Sequence, residues 1–187
     1  MADAQERRSL MEPPQVERVL ARMAEDIVRQ TGGGGGLVLV GIERRGVQLA
    51  RRIAEAIAGS GGEEPLTGSL DITLYRDDLM SVGPRPVVGQ TRLPTGGIDG
   101  RHLVIVDDVL YTGRTVRAAL DELADFGRPA RILLAVLVDR GGRELPIQAD
   151  VVGETVEVPE GGTVEVLVPE LDGRLGVDLI IEGEDAA

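Results

Sequence analysis

The chain has 187 residues, and its 20 basic and 32 acidic side chains give a formal net charge of −12 at pH 7. It contains no cysteine, every basic residue is an arginine, and His102 is its one histidine. These absences exclude disulfides, thiol nucleophiles, zinc–thiolate sites and Schiff-base chemistry on lysine. The length predicts a single domain over residues 1–187.

The apolar residues predict alternating helices and strands. In chain order we predict a helix over 14–30, a strand over 37–42, a helix to about 58, strands over 66–75 and 103–106, a helix over 113–126, and strands over 132–138 and near 150–152, 164–168 and 177–181. This order is typical of an α/β protein with a mainly parallel sheet flanked by helices. The glycine- and proline-rich stretch 76–100 is predicted to be a long functional loop.

The sequence also carries predictions about location. No apolar run approaches the roughly 18 residues of a membrane-spanning helix. The first residues lack the apolar core of a signal peptide. We therefore expect a cytoplasmic protein without a membrane partner.

The segment 104–115, VIVDDVLYTGRT, carries the clearest chemical signal. A buried strand leads to Asp107 and Asp108, and a Thr-Gly-Arg-Thr turn then opens a helix. Free N–H groups at a helix start bind anions, and paired carboxylates accept hydrogen bonds from vicinal hydroxyls or help to hold Mg²⁺. A sugar phosphate would satisfy both halves of this segment. Taken singly, each feature is equally consistent with an ordinary strand end and helix cap.

The segment resembles the 5-phosphoribosyl-1-pyrophosphate (PRPP) signature of type I phosphoribosyltransferases. Over about residues 15–155 the chain is similar to the PyrR family, whose members are pyrimidine operon regulatory (attenuation) proteins and uracil phosphoribosyltransferases. The resemblance is carried by the segments VGIERRG (40–46), LDITLYRDDL (70–79), VIVDDVLYTGRTVR (104–117), GRP (127–129) and LAVLVDRGGRELP (134–146). It implies the type I phosphoribosyltransferase fold, with a flexible lid loop over about 76–100 and a small C-terminal hood and tail over about 149–187.

The resemblance also implies roles for individual residues. Asp107 and Asp108 would contact the ribose hydroxyls and are the candidate protein ligands of Mg²⁺. The 5′-phosphate loop would be Tyr111, Thr112, Gly113, Arg114 and Thr115. The pyrophosphate-binding turn would be Arg44, Arg45 and Gly46, where Arg45 matches the family arginine and Arg44 replaces the usual threonine.

Further expectations concern the lid and the base. The lid would bring Arg76, Arg85 and Arg92 toward PRPP, with Arg85 as our choice for the pyrophosphate, and its closure would exclude water. The edge formed by Val138, Asp139 and Arg140 would face uracil. The implied reaction is displacement of pyrophosphate from the ribose by uracil, which gives UMP, with Mg²⁺ as cofactor. His102 is predicted to be a surface residue rather than a catalyst.

Relatives in this family also bind the leader mRNA of pyrimidine genes, with UMP favouring the bound state. Relatives carry polar or basic residues at five positions where this chain has Ala21, Glu25, Gly142, Gln148 and Glu154. Arg143 remains as a candidate RNA contact. The segment 141–187 also holds 12 acidic residues and 2 arginines. We therefore predict weak, altered or absent RNA binding, because each lost phosphate contact lowers affinity.

Two alternatives to the uracil enzyme stay open from sequence. One is a nucleotide-sensing RNA-binding regulator with little catalysis, since both activities need the same nucleotide site. The other is transfer to a different base, such as a purine. Relatives form dimers and tetramers, which implies a homo-oligomer.

Overall fold

The computed structural model describes residues 6–73 and 89–181, which form two sheets and four helices. The strands are β1 (Glu6–Met11), β2 (Leu37–Ile42), β3 (Leu66–Leu70), β4 (His102–Leu110), β5 (Arg131–Asp139), β6 (Val151–Thr155), β7 (Gly162–Leu167) and β8 (Gly176–Ile181). The helices are α1 (Pro13–Thr31), α2 (Arg45–Gly59), α3 (Arg114–Ala124) and α4 (Pro169–Asp172).

The larger sheet has five parallel strands in the order β3-β2-β4-β5-β6. Its central strands are continuous apolar runs, and all six residues of β2 are buried. That pattern is typical of parallel strands covered on both faces. One hydrophobic core contains the buried faces of α1 and α2, and a second core contains α3 together with Ile98. The predicted α/β class with a mainly parallel sheet is confirmed.

Most predicted elements differ from the structure by one or two residues at an end, and three of the differences concern the candidate site. Strand β3 ends at Leu70, so residues 71–73 lie beyond it rather than within it. Strand β4 continues to Leu110 because its pairing with β5 extends as far as Asp139. The two carboxylates of the 107–108 pair therefore belong to the strand instead of following it. Helix α3 begins one residue later than predicted and ends two residues earlier.

The smaller sheet forms the hood and has three antiparallel strands in the order β1-β8-β7. The predicted hood segment 149–187 is thus divided, because β6 extends the main sheet while β7 and β8 belong to the hood. Strand β1 was not predicted, since most of its residues are polar and exposed. Arg7 helps to hold it, with Nη1 2.7 Å from Asp178 Oδ2 and 2.8 Å from Glu165 Oε2.

Membrane spanning can be judged only over the described ranges. Within residues 6–73 and 89–181, none of the helices has both the length and the apolar character needed to cross a membrane.

His102 lies at the start of β4, where its Nδ1 is 3.1 Å from the carbonyl oxygen of Thr31. His102 thus begins the strand on which the aspartate pair lies five residues further along.

Candidate functional site

A cavity of about 530 Å³ opens at the carboxyl ends of β2, β3 and β4. In open α/β sheets this edge is where ligands bind. We call this space the acidic cavity, because four carboxylates and one arginine are among its described lining residues: Ile42, Glu43, Arg44, Asp71, Ile72, Thr73, Gly89, Asp107, Asp108, Val109 and Thr115. The cavity thus combines residues from three of the segments that carry the sequence resemblance.

Asp107 and Asp108 are oriented by the backbone of their own strand. The N–H of Asp108 donates to Asp107 Oδ1 at 2.9 Å, and the N–H of Val109 donates to Asp108 Oδ1 at 2.8 Å. Asp107 is only 6% exposed. Burial and the neighbouring charge of Asp108 raise the pKa of Asp107 well above its ordinary value. The structure therefore holds a carboxylate where its charge is costly, which is characteristic of functional sites.

The raised pKa of Asp107 predicts a pH-dependent stability. An acid that binds its proton more tightly when folded stabilises the protein below its unfolded pKa of about 3.9, and this contribution is lost as the pH rises through the folded pKa. We expect Asp107→Asn to have a higher urea midpoint than the unsubstituted protein at pH 7, with the gap closing toward pH 4. An equal or lower urea midpoint for Asp107→Asn at pH 7 would contradict a raised pKa of Asp107 in the folded protein.

The turn before α3 is fixed by loop 140–149. Gly113 has φ = +91°, a conformation that favours glycine. A Cβ on Gly113 would stand 3.3–3.4 Å from the side chains of Leu145 and Ile147. The carbonyl oxygen of Thr112 accepts hydrogen bonds from the N–H groups of Glu144 and Leu145, at 3.0 and 3.1 Å. The first turn of α3 is thereby held beside the acidic cavity.

Of the predicted phosphate-loop residues, only Thr115 is among the described residues that line the cavity. Thr112 Oγ1 accepts the N–H of Arg114 at 3.3 Å. The Arg114 side chain pairs with Glu144, Nε to Oε2, at 2.6 Å. Tyr111 is half exposed, and the guanidinium carbon of Arg140 lies 4.0 Å from its ring centroid.

The two arginines of the predicted pyrophosphate turn have different surroundings. Arg44, which replaces the usual threonine, lines the acidic cavity, and the peptide bond that precedes it is cis. Arg45, which matches the family arginine, is paired with Asp172 of α4 instead, with Nη2–Oδ1 2.8 Å and Nε–Oδ2 3.3 Å. Arg45 is absent from the described cavity lining, so the arginine that lines the cavity is the residue that departs from the family pattern. The hydrogen bond to Asp172 and the charge of Asp108 both raise the pKa of Arg45.

Gly46 explains how closely this turn approaches the aspartates. A Cβ on Gly46 would stand 2.5 Å from the carbonyl oxygen of Val106 and 3.4 Å from the Cα of Asp107. Only a residue without a side chain lets the start of α2 lie against β4 in this way. The turn therefore lies against β4 at the residue that precedes the aspartate pair.

Sequence reasoning did not single out Asp71 and Thr73 as site residues. The N–H of Thr73 donates to Asp71 Oδ1 at 2.9 Å, and the Thr73 hydroxyl contacts the same oxygen. Both residues line the acidic cavity. The signal that could have found them is an acidic residue at the end of a strand, but the predicted strand over 66–75 includes Asp71, whereas β3 ends at Leu70.

The lid arginines have different outcomes. Arg76 and Arg85 lie outside the described residues. Arg92 is described, and its backbone pairs with that of Ser69 through hydrogen bonds of 2.8 and 2.9 Å. Arg92 lines a separate cavity of about 170 Å³ beside α2.

The predicted base-facing edge lies at the end of β5. Val138 is buried in the core, and the N–H of Arg140 donates to the carbonyl oxygen of Leu110 at 3.1 Å. Asp139 is half-buried beside them. None of Val138, Asp139 and Arg140 is among the described residues that line the acidic cavity. The structure brings them next to the end of β4 but not into the cavity itself.

Arg143, the candidate RNA contact, is engaged within the chain. Its guanidinium donates to Asp139 Oδ2 at 2.5 Å, to the carbonyl oxygen of Ile147 at 2.8 Å and to that of Tyr111 at 3.0 Å. Burial alone would raise the pKa of Asp139, but hydrogen bonds from Arg143 and from the N–H of Gly141 hold it below its usual value. Arg143 therefore ties the loop after β5 to the turn before α3.

Comparisons with known proteins agree with this geometry. The family model described as the phosphoribosyl transferase domain matches residues 7–168. The fold resembles a hypoxanthine phosphoribosyltransferase from Staphylococcus aureus, with TM-score 0.68, 18% identity and coverage of 96% of this chain and 94% of that one. It also resembles a hypoxanthine-guanine phosphoribosyltransferase from Bacillus anthracis, with TM-score 0.71, 15% identity and coverage of 95% and 99%. At these identities the two structures show the fold alone.

Curated relatives are closer in sequence. The bifunctional protein PyrR of Thermus thermophilus is 56% identical over 170 residues, which are 91% of this chain and 93% of the relative. The bifunctional protein PyrR of Herpetosiphon aurantiacus is 50% identical over 94% of this chain and 97% of its own. The chain therefore belongs to the PyrR family of phosphoribosyltransferases. The family, the fold and the enzyme class expected from the sequence are confirmed.

Proposed function

We propose that this phosphoribosyltransferase transfers the phosphoribosyl group of PRPP to uracil, giving UMP and pyrophosphate. The observation that carries the proposal is the acidic cavity, where Asp107 and Asp108, the turn that opens α3, and Arg44 surround one space. A sugar that bears a phosphate at one end and a pyrophosphate at the other needs hydroxyl acceptors between two anion sites. Thr115, the two aspartates and Arg44 supply these three kinds of group in the cavity lining.

Each group has a distinct part in the proposed reaction. Asp107 and Asp108 accept hydrogen bonds from the ribose hydroxyls, and the first turn of α3 with Thr112 and Thr115 holds the 5′-phosphate. Arg44 takes the cationic place beside the pyrophosphate. A uracil nitrogen forms a bond to the anomeric carbon as the bond to pyrophosphate oxygen breaks, and the nitrogen loses its proton. The carboxylates favour the positive charge that develops on the sugar, so the protein acts by positioning and electrostatics.

The residues of the cavity fit Mg²⁺ as cofactor. This ion prefers hard oxygen ligands and is commonly held by one or two carboxylates together with substrate phosphates. Asp107 and Asp108 supply such oxygens, while residues 6–73 and 89–181 contain no cluster of three or more metal-ligating side chains. When bound, the ion would offset the charge of the pyrophosphate. PRPP therefore supplies part of the coordination in this proposal.

We assign the choice of base to the edge formed by Val138, Asp139 and Arg140, whose backbone groups could distinguish donors from acceptors on a base.

The test of the proposed function is an assay of the purified protein with PRPP and Mg²⁺, offering uracil, hypoxanthine, guanine, adenine and orotate in parallel. UMP from uracil alone is the expected result. Product from a purine alone would favour a different base, and no product from any base would favour a nucleotide-sensing regulator.

We propose that leader-RNA binding, the second candidate function, is weakened in this chain. Arg22 is paired with Glu154 at 3.3 Å, and Arg143 is held by the contacts described above. Both cations therefore have their charge offset by carboxylates of the chain itself. A homo-oligomer in the cytoplasm is the expected setting for either function.

A mobility-shift assay with a pyrimidine-gene leader RNA at low salt tests this second proposal. We expect weak binding that UMP changes little, because binding to RNA phosphates depends on unpaired cations. Glu154→Lys removes the partner of Arg22 and adds a cation, so this variant is expected to bind the RNA more tightly. Nanomolar, UMP-dependent binding by the unsubstituted protein would contradict the proposal.

A further inference from the structure

Two ion pairs join the hood to helix α2. Arg45 forms the bidentate pair with Asp172 described above. About two turns further along α2, Arg52 Nη2 lies 3.1 Å from Glu170 Oε1. Both acidic partners belong to α4, the short helix between β7 and β8. The hood is thus attached to α2 at two points, of which only the first lies on the pyrophosphate turn.

Asp172 is itself fixed in place. Its Oδ2 accepts the N–H of Val168 at 2.8 Å. Burial alone would raise the pKa of Asp172, but the Val168 N–H and the Arg45 guanidinium hold it below its usual value. The pair with Arg45 is half-buried, with side-chain exposures of 29% for Arg45 and 15% for Asp172. Asp172 is therefore an anchored, ionised partner rather than a loose surface acid.

The turn that carries Arg44 is consequently held from two sides. Gly46 packs against the backbone of Val106 on the side of β4. Asp172 holds Arg45 on the side of the hood. Arg44 lies immediately before this fixed residue, so the direction of its backbone is determined by the two contacts. Arg44 lines the acidic cavity, whereas Arg45 is paired with Asp172.

We propose that Asp172 is a positioning residue for the pyrophosphate site, acting through Arg45 to keep Arg44 directed into the acidic cavity. The proposal rests on the proposed transferase function and adds to it a link between the hood and PRPP binding. In this arrangement Arg45 does not contact the pyrophosphate. Its charge is used to fix the turn, and the residue at position 44 supplies the cation.

The test measures binding of pyrophosphate, and separately of PRPP with Mg²⁺, by calorimetry. Asp172→Asn is expected to weaken both by roughly tenfold, because a small displacement of a charged group from its ligand is costly. Glu170→Gln is the matched control, since it breaks the other ion pair between the same two helices. That exposed pair is expected to leave binding within about twofold.

Kinetics and a second variant separate positioning from other roles. Asp172→Asn is expected to raise KM for PRPP while kcat for UMP formation stays within about twofold, since the ribose contacts are intact. Asp172→Glu, which keeps the carboxylate, is expected to restore part of the affinity. Arg45→Gln is expected to match Asp172→Asn, and the double variant to be no weaker than either single variant, because both changes remove one pair.

The contrary arrangement has Arg45 binding pyrophosphate directly, with Asp172 as its competitor. In that case Asp172→Asn would bind pyrophosphate more tightly and Arg45→Gln more weakly, and the proposal would be overturned. Equal losses in Asp172→Asn and Glu170→Gln would also overturn it, by showing a general effect of the hood. Pyrophosphate binding needs no turnover, so a protein that binds pyrophosphate but forms no UMP would contradict the proposed function and not this one.

Discussion

Replacing Asp107 with asparagine is expected to lower kcat/KM for UMP formation by roughly 100- to 1000-fold, the loss seen when one preorganised electrostatic contact is removed from an active site. The substitution keeps the size of the side chain and an oxygen that can accept the Asp108 N–H. It removes the negative charge that would face the sugar. The same variant is expected to be more stable at pH 7, so lost activity would not reflect unfolding.

The control for this variant is Asp121→Asn on α3. Asp121 is exposed, and its ion pair with Arg117 is long, at 3.9 Å. It is not among the described residues that line the acidic cavity. We expect its kinetics to match those of the unsubstituted protein. Turnover by Asp107→Asn close to that of Asp121→Asn would contradict the assignment of the site.

Gly46→Ala is expected to reduce both stability and PRPP affinity. The new Cβ would stand 2.5 Å from the carbonyl oxygen of Val106, and a backbone atom cannot rotate away as a flexible side chain can. Overpacking of this kind costs about 1–3 kcal/mol of unfolding free energy. Because the turn would be pushed off β4, Arg44 would also leave its place in the cavity. Urea unfolding and calorimetry with PRPP measure the two effects.

Gly59→Ala is the matched control for this prediction. Gly59 ends the same helix, and a Cβ there would meet no atom within 4 Å. Alanine is favoured over glycine in helices by up to about 1 kcal/mol, so this variant is expected to be as stable as the unsubstituted protein or slightly more stable. If Gly46→Ala behaved like Gly59→Ala in both measurements, the close contact between turn and strand would be unimportant.

The main sheet was largely predictable because its strands are apolar runs bounded by glycine and charge. Strand β2 matches its predicted limits, and β4 and β5 are longer than predicted at both ends. The apolar pattern marks where a strand is buried, whereas its last residues are fixed by the ladder to the next strand. Strand β1 had no such pattern, because it is held by pairing with β8, about 170 residues further along the chain.

The site was predictable where function follows from position along one segment. Asp107, Asp108 and Thr115 lie in the acidic cavity because a strand and the following turn place them there. The sequence did not reveal that Arg44, rather than Arg45, lines the cavity. Arg45 is paired with Asp172, which lies 127 residues further along the chain. The same holds for Arg143, whose partners come from the end of β5 and from two neighbouring loops. Side-chain direction in a turn is decided by tertiary partners that local sequence does not reveal.

In the proposed function, the acidic cavity binds PRPP and its phosphoribosyl group is transferred to uracil. The most direct measurement is the initial rate of UMP and pyrophosphate formation from uracil, PRPP and Mg²⁺, with the unsubstituted protein and Asp107→Asn prepared in parallel. We predict that UMP and pyrophosphate appear in equal amounts with the unsubstituted protein, and that the variant retains about 1% of this rate or less. Equal rates in the two preparations, or no UMP from the unsubstituted protein, would contradict it.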